Sequence, residues 1–503
     1  MQGRGVLHSV FKWLKVTALT APWVVMPQSP PSPHVLPWLV SLACIGLLTV
    51  LWILPTQKVS QQDSASLWAG TWLLTALLSS VIGLCQYFDV AQYVPLVGSA
   101  SRGEAFANLR QRNQFASLTQ IGLLALIWWT IQATACKPSV PKGRAMALAV
   151  VLFSAALLAA GNAASASRTG LLQLVLIVVL TAGWGRTSGA GLNPWVGRLL
   201  LTTVVSYLLA ALFLPSLLGK ALSTGILTRL QDGGPACSSR LVLWSNVLHL
   251  IAEKPWLGWG WDELRYAHFI TLYDGPRFCE IMGNAHNLPL HLAVTLGLPA
   301  ALLLCGGAAW WVWRAKPWQE THATRQLAWG VLAVIGLHSL LEYPLWYGPF
   351  QMAVGLSLLL LWHTRGDAAA HANAAVARCT ATGLAWLALV LFVGLSYAAW
   401  DYHRISQMYR PAPQRSLAYR DGTLEKIKDS WLFRNQVRFA ELSITPVTRD
   451  NAEQLNVLAH DVLHYSPEAS VVEKVINSAR LLGREDEAQF FELRYRAAYA
   501  KAQ

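Results

Sequence analysis

Charged side chains are scarce in this sequence: they make up 13% of its 503 residues, whereas 54% are hydrophobic. A soluble protein usually carries about 25% charged residues. The apolar residues also come in long blocks, and blocks such as 199–217 and 380–400 approach the ~20 residues that a helix needs to cross a bilayer. The composition therefore excludes an ordinary soluble domain and predicts an all-α polytopic membrane protein.

Motifs that hold nucleotides or metals are missing as well. The sequence contains no P-loop, no dinucleotide fingerprint and no zinc-type spacing, and its seven cysteines include no CxxC pair. We therefore expect no metal and no cofactor, and any chemistry has to depend on arginine, histidine and carboxylate side chains. The net charge of +13 does not require nucleic acid as a partner, because much of it falls in short interhelical loops, where positive charge sets membrane orientation.

The cysteines fall into two groups. Cys237 and Cys279 lie in the central polar loop and are a disulfide candidate if that loop faces an oxidising compartment. Their separation in sequence says nothing about their distance in space. The others lie in or beside apolar runs and are interpreted as small hydrophobic residues: Cys44, Cys85, Cys136, Cys305 and Cys379.

The apolar blocks predict about 11 transmembrane helices. The first ends near residue 26, and the others are 38–54, 67–87, 115–135, 145–160, 170–184, 199–217, 288–313, 327–341, 350–362 and 380–400. Threading them alternately collects the N-terminus and basic residues on one side, which the positive-inside rule makes cytoplasmic: Lys58, Lys137, Lys142, Arg144, Arg186, Arg198, Arg314, Lys316, Arg325, Arg365 and Arg378. The other side then faces the periplasm of a Gram-negative cell, and the protein lies in the inner membrane.

Four segments follow from this threading. We predict N-terminal transmembrane helices in 1–217, a large periplasmic loop in 218–287, C-terminal transmembrane helices in 288–400 and a periplasmic helical domain in 401–503. In the last segment, amphipathic patterns predict helices over 423–439, 450–464, 467–482 and from 484 onward. Residues 465–488 resemble a helical hairpin of the tetratricopeptide kind.

His286 ends the central loop, in Asn284-Ala285-His286-Asn287, immediately before the next apolar run. An imidazole accepts a proton near neutral pH, so His286 is a candidate general base. The alternative is a structural histidine, hydrogen-bonded to its asparagine neighbours at the start of a helix.

Arg240 opens a helical pattern in which Leu241, Trp244, Leu248 and Ile251 share one face. That pattern predicts a helix that lies on the membrane or packs over a cavity. A helix start combined with a guanidinium suits a phosphate, whereas the alternative is an ordinary surface arginine.

Three further features lie on the predicted periplasmic side. Arg168, in Ser-Arg-Thr-Gly before a span, either binds substrate or extends to the lipid headgroups. His338 and Glu342 are four residues apart and therefore share a helix face, so they either orient a base or satisfy each other. The run 254–261, Lys-Pro-Trp-Leu-Gly-Trp-Gly-Trp, offers an aromatic surface for a sugar ring or for the membrane interface.

Together these motifs resemble the O-antigen ligase/polymerase superfamily. Within it, the His338-to-Leu345 segment and the Asn108-to-Ala116 segment, Asn-Leu-Arg-Gln-Arg-Asn-Gln-Phe-Ala, are similar to bacterial protein O-oligosaccharyltransferases, which glycosylate pilins and other periplasmic proteins. That branch commonly has proline where this chain has Arg112. The resemblance covers nearly the whole chain.

The resemblance implies transfer of a glycan from undecaprenyl diphosphate to a hydroxyl of an acceptor protein at the periplasmic face, without metal or nucleotide sugar. It implies His286 as the base and Arg240 and Arg168 as groups that stabilise the departing diphosphate. The expected substrate-binding residues are His338, Glu342, Asn284, Asn287, Trp259, Asn113 and Gln114.

Two alternatives stay open at this point. An O-antigen ligase, with lipid A–core as acceptor, or an O-antigen polymerase would use the same donor. A transporter of the lipid-linked glycan is a different class, but such proteins commonly show internal repeats and polar residues at mid-membrane depth. Here no repeat is evident and the candidate residues collect at one surface.

Overall fold

The computed structural model describes residues 2–25, 30–32, 34–53, 61–95, 97–135, 141–187, 189, 191–219, 236–365 and 374–499. These residues form helices and turns, with no strand among them. The helices are α1 Gln2–Val24, α2 Val35–Ile53, α3 Gln61–Tyr87, α4 Arg112–Ala135, α5 Pro141–Ala164, α6 Arg168–Thr187, α7 Pro194–Leu217, α8 Arg240–Glu253, α9 Leu264–Ile270, α10 Leu288–Leu296, α11 Leu298–Ala315, α12 Ala323–Leu341, α13 Gly348–His363, α14 Ala374–Ser406, α15 Thr423–Ile427, α16 Arg434–Ile444, α17 Ala452–Tyr465, α18 Ala469–Leu481 and α19 Glu485–Tyr499.

Seven of the described helices are long and apolar enough to cross a membrane: α2 to α7 and α14. They coincide with seven of the predicted spans, and the protein is a multi-pass membrane protein. Helices also lie at the other four predicted spans, and the total of about 11 stays a prediction. The predicted span 288–313 is two helices rather than one, because the chain breaks between α10 and α11 at Gly297, whose φ is +88°.

Contacts divide the chain into two compact units. The first, here called the membrane unit, comprises 1–28, 34–232 and 312–395, and the second, the loop unit, comprises 29–33, 233–311 and 396–503. The described residues of the central loop from 236 onward and those of the C-terminal segment from 401 onward thus fall in the same unit, and the predicted domain bounds stay a prediction.

Helix α4 lies at the centre of the membrane unit and is buried over nearly its whole length. Small residues let neighbouring helices approach it. A Cβ atom added at Gly122 would lie 2.3 Å from the Cβ of Ala76 on α3, and one at Gly330 of α12 would lie 2.7 Å from Leu124. Because helix packing in lipid depends on such close contacts, α4 forms a rigid support for the polar residues at its N-terminal end.

The loop unit contains two hydrophobic cores that share helix α9. Leu264 and Ala267 lie in the core built around α8 and α10. Phe269 lies in the other core, which the C-terminal helices α16 to α19 form, and Arg494 Nε donates a hydrogen bond of 2.7 Å to the carbonyl of Ile270. The C-terminal helices therefore fold against a helix of the central loop. Their likeness to tetratricopeptide repeats stays a prediction.

One predicted helix is wrong. Residues 423–439 form α15 and α16 with a non-helical stretch between them. The buried carboxylate of Asp401 accepts hydrogen bonds there from Ser430 Oγ, at 2.9 Å, and from the backbone N–H of Leu432, at 3.3 Å. A local amphipathic pattern cannot show such a competing contact from a residue about thirty positions away.

Some predicted features lie outside the described residues. They are the basic residues Lys58 and Lys137, Cys136, residues 220–235 of the central loop, and the side chains of Lys142, Arg378 and Cys379. The described cysteines of the apolar runs, Cys44, Cys85 and Cys305, carry free thiols and are half-buried.

Candidate active-site residues

His286 sits in a turn whose backbone is fixed on both sides. The side chain of Asn284 accepts a hydrogen bond of 2.8 Å from the N–H of His286. The buried Ala285 offers its carbonyl to the indole N–H of Trp244, at 3.0 Å. Asn287 caps α10 by accepting from the N–H of Leu290, at 3.1 Å. Asn287, not the histidine, is thus the helix cap.

The backbone of His286 is itself unusual, because its φ is +50°. Residues other than glycine seldom adopt this left-handed conformation, and they do so at a cost in free energy. Such strain is found preferentially at functional sites. The carboxamide oxygens of Asn284 and Asn287 both accept hydrogen bonds from backbone N–H groups, so these two residues fix the backbone on either side of the half-buried His286.

Arg240 is the first residue of α8, and Ser239 caps that helix by accepting a hydrogen bond from the N–H of Val242 at 3.3 Å. The half-buried guanidinium thus lies at the N-terminal end of a helix, where the helix dipole favours an anion. The buried face of α8 consists of Leu243, Asn246, Val247 and Leu250, together with Ile251. Leu241 and Leu248 of the predicted face are instead exposed, at 76% and 55%.

Cys237 and Cys279 form a disulfide with a Cα–Cα distance of 5.4 Å. The N–H of Cys279 also donates to the carbonyl of Cys237, at 3.3 Å. Because Cys237 lies three residues before Arg240, the disulfide fixes the entry to α8 against the segment that leads to His286.

A buried histidine that sequence reasoning missed supports the same segment. His268 of α9 contacts the carbonyl of Phe278 through Nε2, at 3.0 Å, and the hydroxyl of Tyr273 through Nδ1, at 2.9 Å. Burial and, next, the charge of Arg277 lower the pKa of His268 to about 3. The ring is therefore neutral at pH 7, with Nε2 donating to the carbonyl and Nδ1 accepting from the hydroxyl.

In the membrane unit, Asn113 joins three helix ends. It stands in the first turn of α4 and accepts a hydrogen bond of 2.6 Å from Ser167 Oγ, which precedes α6. Its Nδ2 donates to Glu342 Oε1 at the end of α12, at 3.3 Å. Ser167 Oγ in turn caps α6 by accepting from the N–H of Gly170, at 3.0 Å. The predicted residues Asn113 and Glu342 are therefore in direct contact.

His338 lies one turn deeper and is fully buried. Its Nδ1 is 2.8 Å from Ser117 Oγ of α4, and Gln173 of α6 donates to the same oxygen at 2.8 Å. Its Nε2 has no hydrogen-bond partner among the described residues. The predicted residue Gln114, three positions before Ser117 on α4, is also fully buried.

Arg168 begins α6, directly after Ser167, and its side chain is exposed. Within the described part of the chain it forms no ion pair. Its charge is therefore not neutralised by a described carboxylate, and it lies next to Ser167, which contacts Asn113.

Sequence reasoning missed Ser117 and Gln173. The signal was present, because both are polar residues within predicted spans, where unpaired polar groups are costly and tend to be functional. Gln114, Ser117 and Gln120 also recur every third residue along α4 and are all buried. That spacing marks one helix face.

Three family models match this chain. Residues 153–305 match O-antigen ligase, residues 105–129 match protein glycosylation ligase, and residues 326–503 match the C-terminal part of a virulence factor membrane-bound polymerase. The first of these segments contains Arg168, Arg240 and His286. Asn113 and Gln114 lie in the second, and His338 and Glu342 in the third.

Two curated relatives from Acinetobacter baylyi are similar to the chain. A general O-oligosaccharyltransferase is 22% identical over 346 residues, which is 66% of this chain and 56% of the relative. A ComP-specific O-oligosaccharyltransferase is 25% identical over 287 residues, 57% of this chain and 49% of the relative. The chain thus spans about half the length of the curated relatives it matches. The chain is thus similar, over separate segments, to the O-antigen ligase family, to protein glycosylation ligases and to two O-oligosaccharyltransferases.

Proposed function

We propose that this chain is a glycosyltransferase that moves a glycan from undecaprenyl diphosphate to a serine or threonine hydroxyl of a periplasmic or pilin-like protein. The names of the two relatives support transfer to protein. The observation that carries the proposal is the turn at His286. Its histidine is held at a φ of +50° by partners on both sides, which is the strained and rigid presentation expected of a catalytic group.

In the proposed reaction, His286 takes the proton of the acceptor hydroxyl as its oxygen bonds to the anomeric carbon. The bond from that carbon to the diphosphate oxygen breaks, and the undecaprenyl diphosphate leaves with the electron pair. One in-line displacement inverts the anomeric carbon. The proton on His286 then passes to solvent. The diphosphate already makes a good leaving group, so the protein has to supply a base and charge stabilisation.

Arg240 and Arg168 are assigned to that stabilisation. Arg240 combines a guanidinium with a helix N-terminus, the arrangement that favours phosphate binding. Arg168 is exposed at the start of another helix. We assign Asn113, Gln114, His338 and Glu342 to substrate binding, because they form a buried polar cluster that begins at that helix start.

The assignment of the site to the periplasmic face of the inner membrane has two supports. The basic residues Arg144, Arg186, Arg198 and Arg325 stand at the ends of α5, α6, α7 and α12 that lie away from Asn113 and Glu342, as the positive-inside rule expects of cytoplasmic ends. The Cys237–Cys279 disulfide suits an oxidising compartment.

A second candidate is an O-antigen ligase or polymerase, which the descriptions of two matching family models favour. Its acceptor is a sugar hydroxyl of lipid A–core or of another lipid-linked glycan. The donor, the base and the arginines keep the same roles in that reaction, so only the acceptor distinguishes the two.

The test is transfer by the purified chain in detergent, with a lipid-linked glycan as donor and with a pilin-like protein and lipid A–core offered together. We expect the mass of the protein to rise by one glycan. Detergent leaves no two sides between which to transport, so this result excludes transport as the sole activity. Glycan found only on lipid A–core would identify a ligase instead.

A further inference from the structure

Residues 254–261, here called the tryptophan turn, are bound through their backbone to the break between α10 and α11. The N–H groups of Trp259 and Gly260 donate to the carbonyls of Val294, at 2.8 Å, and Thr295, at 3.0 Å. The N–H of Leu298 donates back to the carbonyl of Pro255, at 2.8 Å. The turn therefore supplies the hydrogen bonds that the helix loses at its break.

Two glycines allow this approach. A Cβ atom at Gly297 would lie 2.1 Å from the carbonyl oxygen of Trp256, and one at Gly258 would lie 2.6 Å from the backbone of Thr295. Both residues have positive φ, +88° and +68°. Irregular backbone at a membrane needs such internal satisfaction, because lipid offers no hydrogen bonds.

The side chains of the turn divide into two sets. Trp259 is used internally: its indole N–H donates to the carbonyl of Leu250 at 2.9 Å, and the Lys254 ammonium lies 3.9 Å from the centre of its ring. Lys254 therefore occupies one face of the Trp259 ring. Trp256, Leu257 and Trp261 are exposed, at 75%, 85% and 61%, although the ring of Trp261 also lies edge-on to that of His291, with 6.1 Å between their centroids.

Exposed apolar side chains also lie on the helix to which the turn is bonded. The turn is hydrogen-bonded to Leu298, the first residue of α11, which is 40% exposed, and Leu302 and Leu303 one turn along α11 are 70% and 76% exposed. Exposed apolar side chains that cluster on a surface mark protein or membrane contacts. Tryptophan prefers the headgroup layer of a bilayer, and a lysine beside it suits the lipid phosphates.

We propose that the tryptophan turn is a membrane-interface anchor: Trp256, Leu257 and Trp261 enter the headgroup layer of a phospholipid bilayer, as do the exposed leucines of α11. The anchor sets the depth of the loop unit at the membrane surface. Its partner is phospholipid, and the proposal does not depend on the transfer reaction.

The test places a fluorescent NBD group at position 257 through Leu257→Cys. The background replaces Cys44, Cys85, Cys136, Cys305 and Cys379 with alanine and keeps the disulfide. The full chain is reconstituted in nanodiscs of phosphatidylethanolamine and phosphatidylglycerol, with nitroxides on the headgroup or deep in the acyl chain. Val457→Cys is the matched control, because Val457 is also an exposed apolar residue, at 57%, on α17 of the C-terminal helices.

At position 257 we expect an emission shifted to the blue and quenching that is several-fold stronger with headgroup nitroxide than with a water-soluble nitroxide. At position 457 we expect the opposite order. Equal behaviour at the two positions would overturn the proposal. So would protection of the group at 257 by free oligosaccharide in detergent, because that result assigns the turn to sugar binding.

Discussion

Replacing His286 separates the catalytic role of its side chain from the strain of its backbone. Its φ of +50° costs a residue with a Cβ atom about 1–2 kcal/mol, and glycine escapes that cost but loses about 0.4–1 kcal/mol through its freer unfolded chain. His286→Gly is therefore expected to be more stable than His286→Ala by about 1 kcal/mol. Both variants lack the imidazole and should transfer no glycan.

The assay pairs thermal unfolding of the purified chain with transfer to the acceptor protein. For a unit of roughly 200 residues, such as the loop unit, an increase of about 1 kcal/mol in the free energy of unfolding raises the unfolding temperature by about 2–4 °C. His249→Ala is the matched control, because this histidine lies on α8 of the same unit with 44% of its side chain exposed, and it should keep wild-type transfer. Glycan transfer by His286→Gly would refute the role of His286 as general base. A His286→Gly chain that unfolds at a lower temperature than His286→Ala would refute the backbone strain at this position.

Four further predictions concern the framework around the site. Gly297→Ala should detach the tryptophan turn and lower the unfolding temperature measurably. The control Gly306→Ala should be neutral or stabilising, because a Cβ atom at position 306 meets open space. Equal unfolding temperatures of the two variants would contradict the close approach of the tryptophan turn to Gly297. The double variant Cys237→Ser, Cys279→Ser removes a cross-link with a sequence separation of 42, and its free energy of unfolding should fall by up to about 4 kcal/mol. Chemical denaturation measures this loss, with Cys305→Ala as the control. The pKa of His268 is about 3 in the folded chain, whereas an unfolded histidine binds a proton below about pH 6.5, so acidification to pH 5 should lower the free energy of unfolding by about 2 kcal/mol. His268→Gln should make the free energy of unfolding less dependent on pH. An unchanged pH dependence in that variant would exclude His268 as its source. Ser117→Ala leaves His338 Nδ1 without its partner and should destabilise the chain by about 1–3 kcal/mol. Ser339→Ala is the control and should have a smaller effect, because the Ser339 hydroxyl donates within its own helix, to the carbonyl of Ile335 at 2.8 Å.

Composition was enough to predict the helical membrane architecture, because bilayer spans are a property of local sequence. Seven helices that meet the length and hydropathy expected of a span coincide with predicted spans. The break at Gly297 also has a signal in the sequence: Gly297-Leu298-Pro299 is a helix-stopping sequence, although the apolar block around it predicts one continuous span. The extent of α15 was not readable, since Asp401 determines it from a distant position.

The site was predictable in residue type but not in arrangement. Asn284, His286 and Asn287 were selected from one short motif, yet only the structure shows that the two asparagines hold the backbone and leave the imidazole half-buried. The direct contact between Asn113 and Glu342 joins residues 229 positions apart. Pairings over such distances depend on how helices pack, which no single segment encodes. The roles assigned to these residues stay predictions.

The identity of the acceptor is the most direct test of the proposed function. Purified chain, a lipid-linked glycan and a pilin-like protein are incubated in detergent, and the acceptor is analysed by intact mass and by peptide fragmentation. We expect the mass of the acceptor protein to rise by one glycan, attached to a serine or threonine oxygen. The His286→Ala chain should produce no such increase. An unmodified acceptor beside glycosylated lipid A–core, or equal transfer by the His286→Ala chain, would contradict the proposed function.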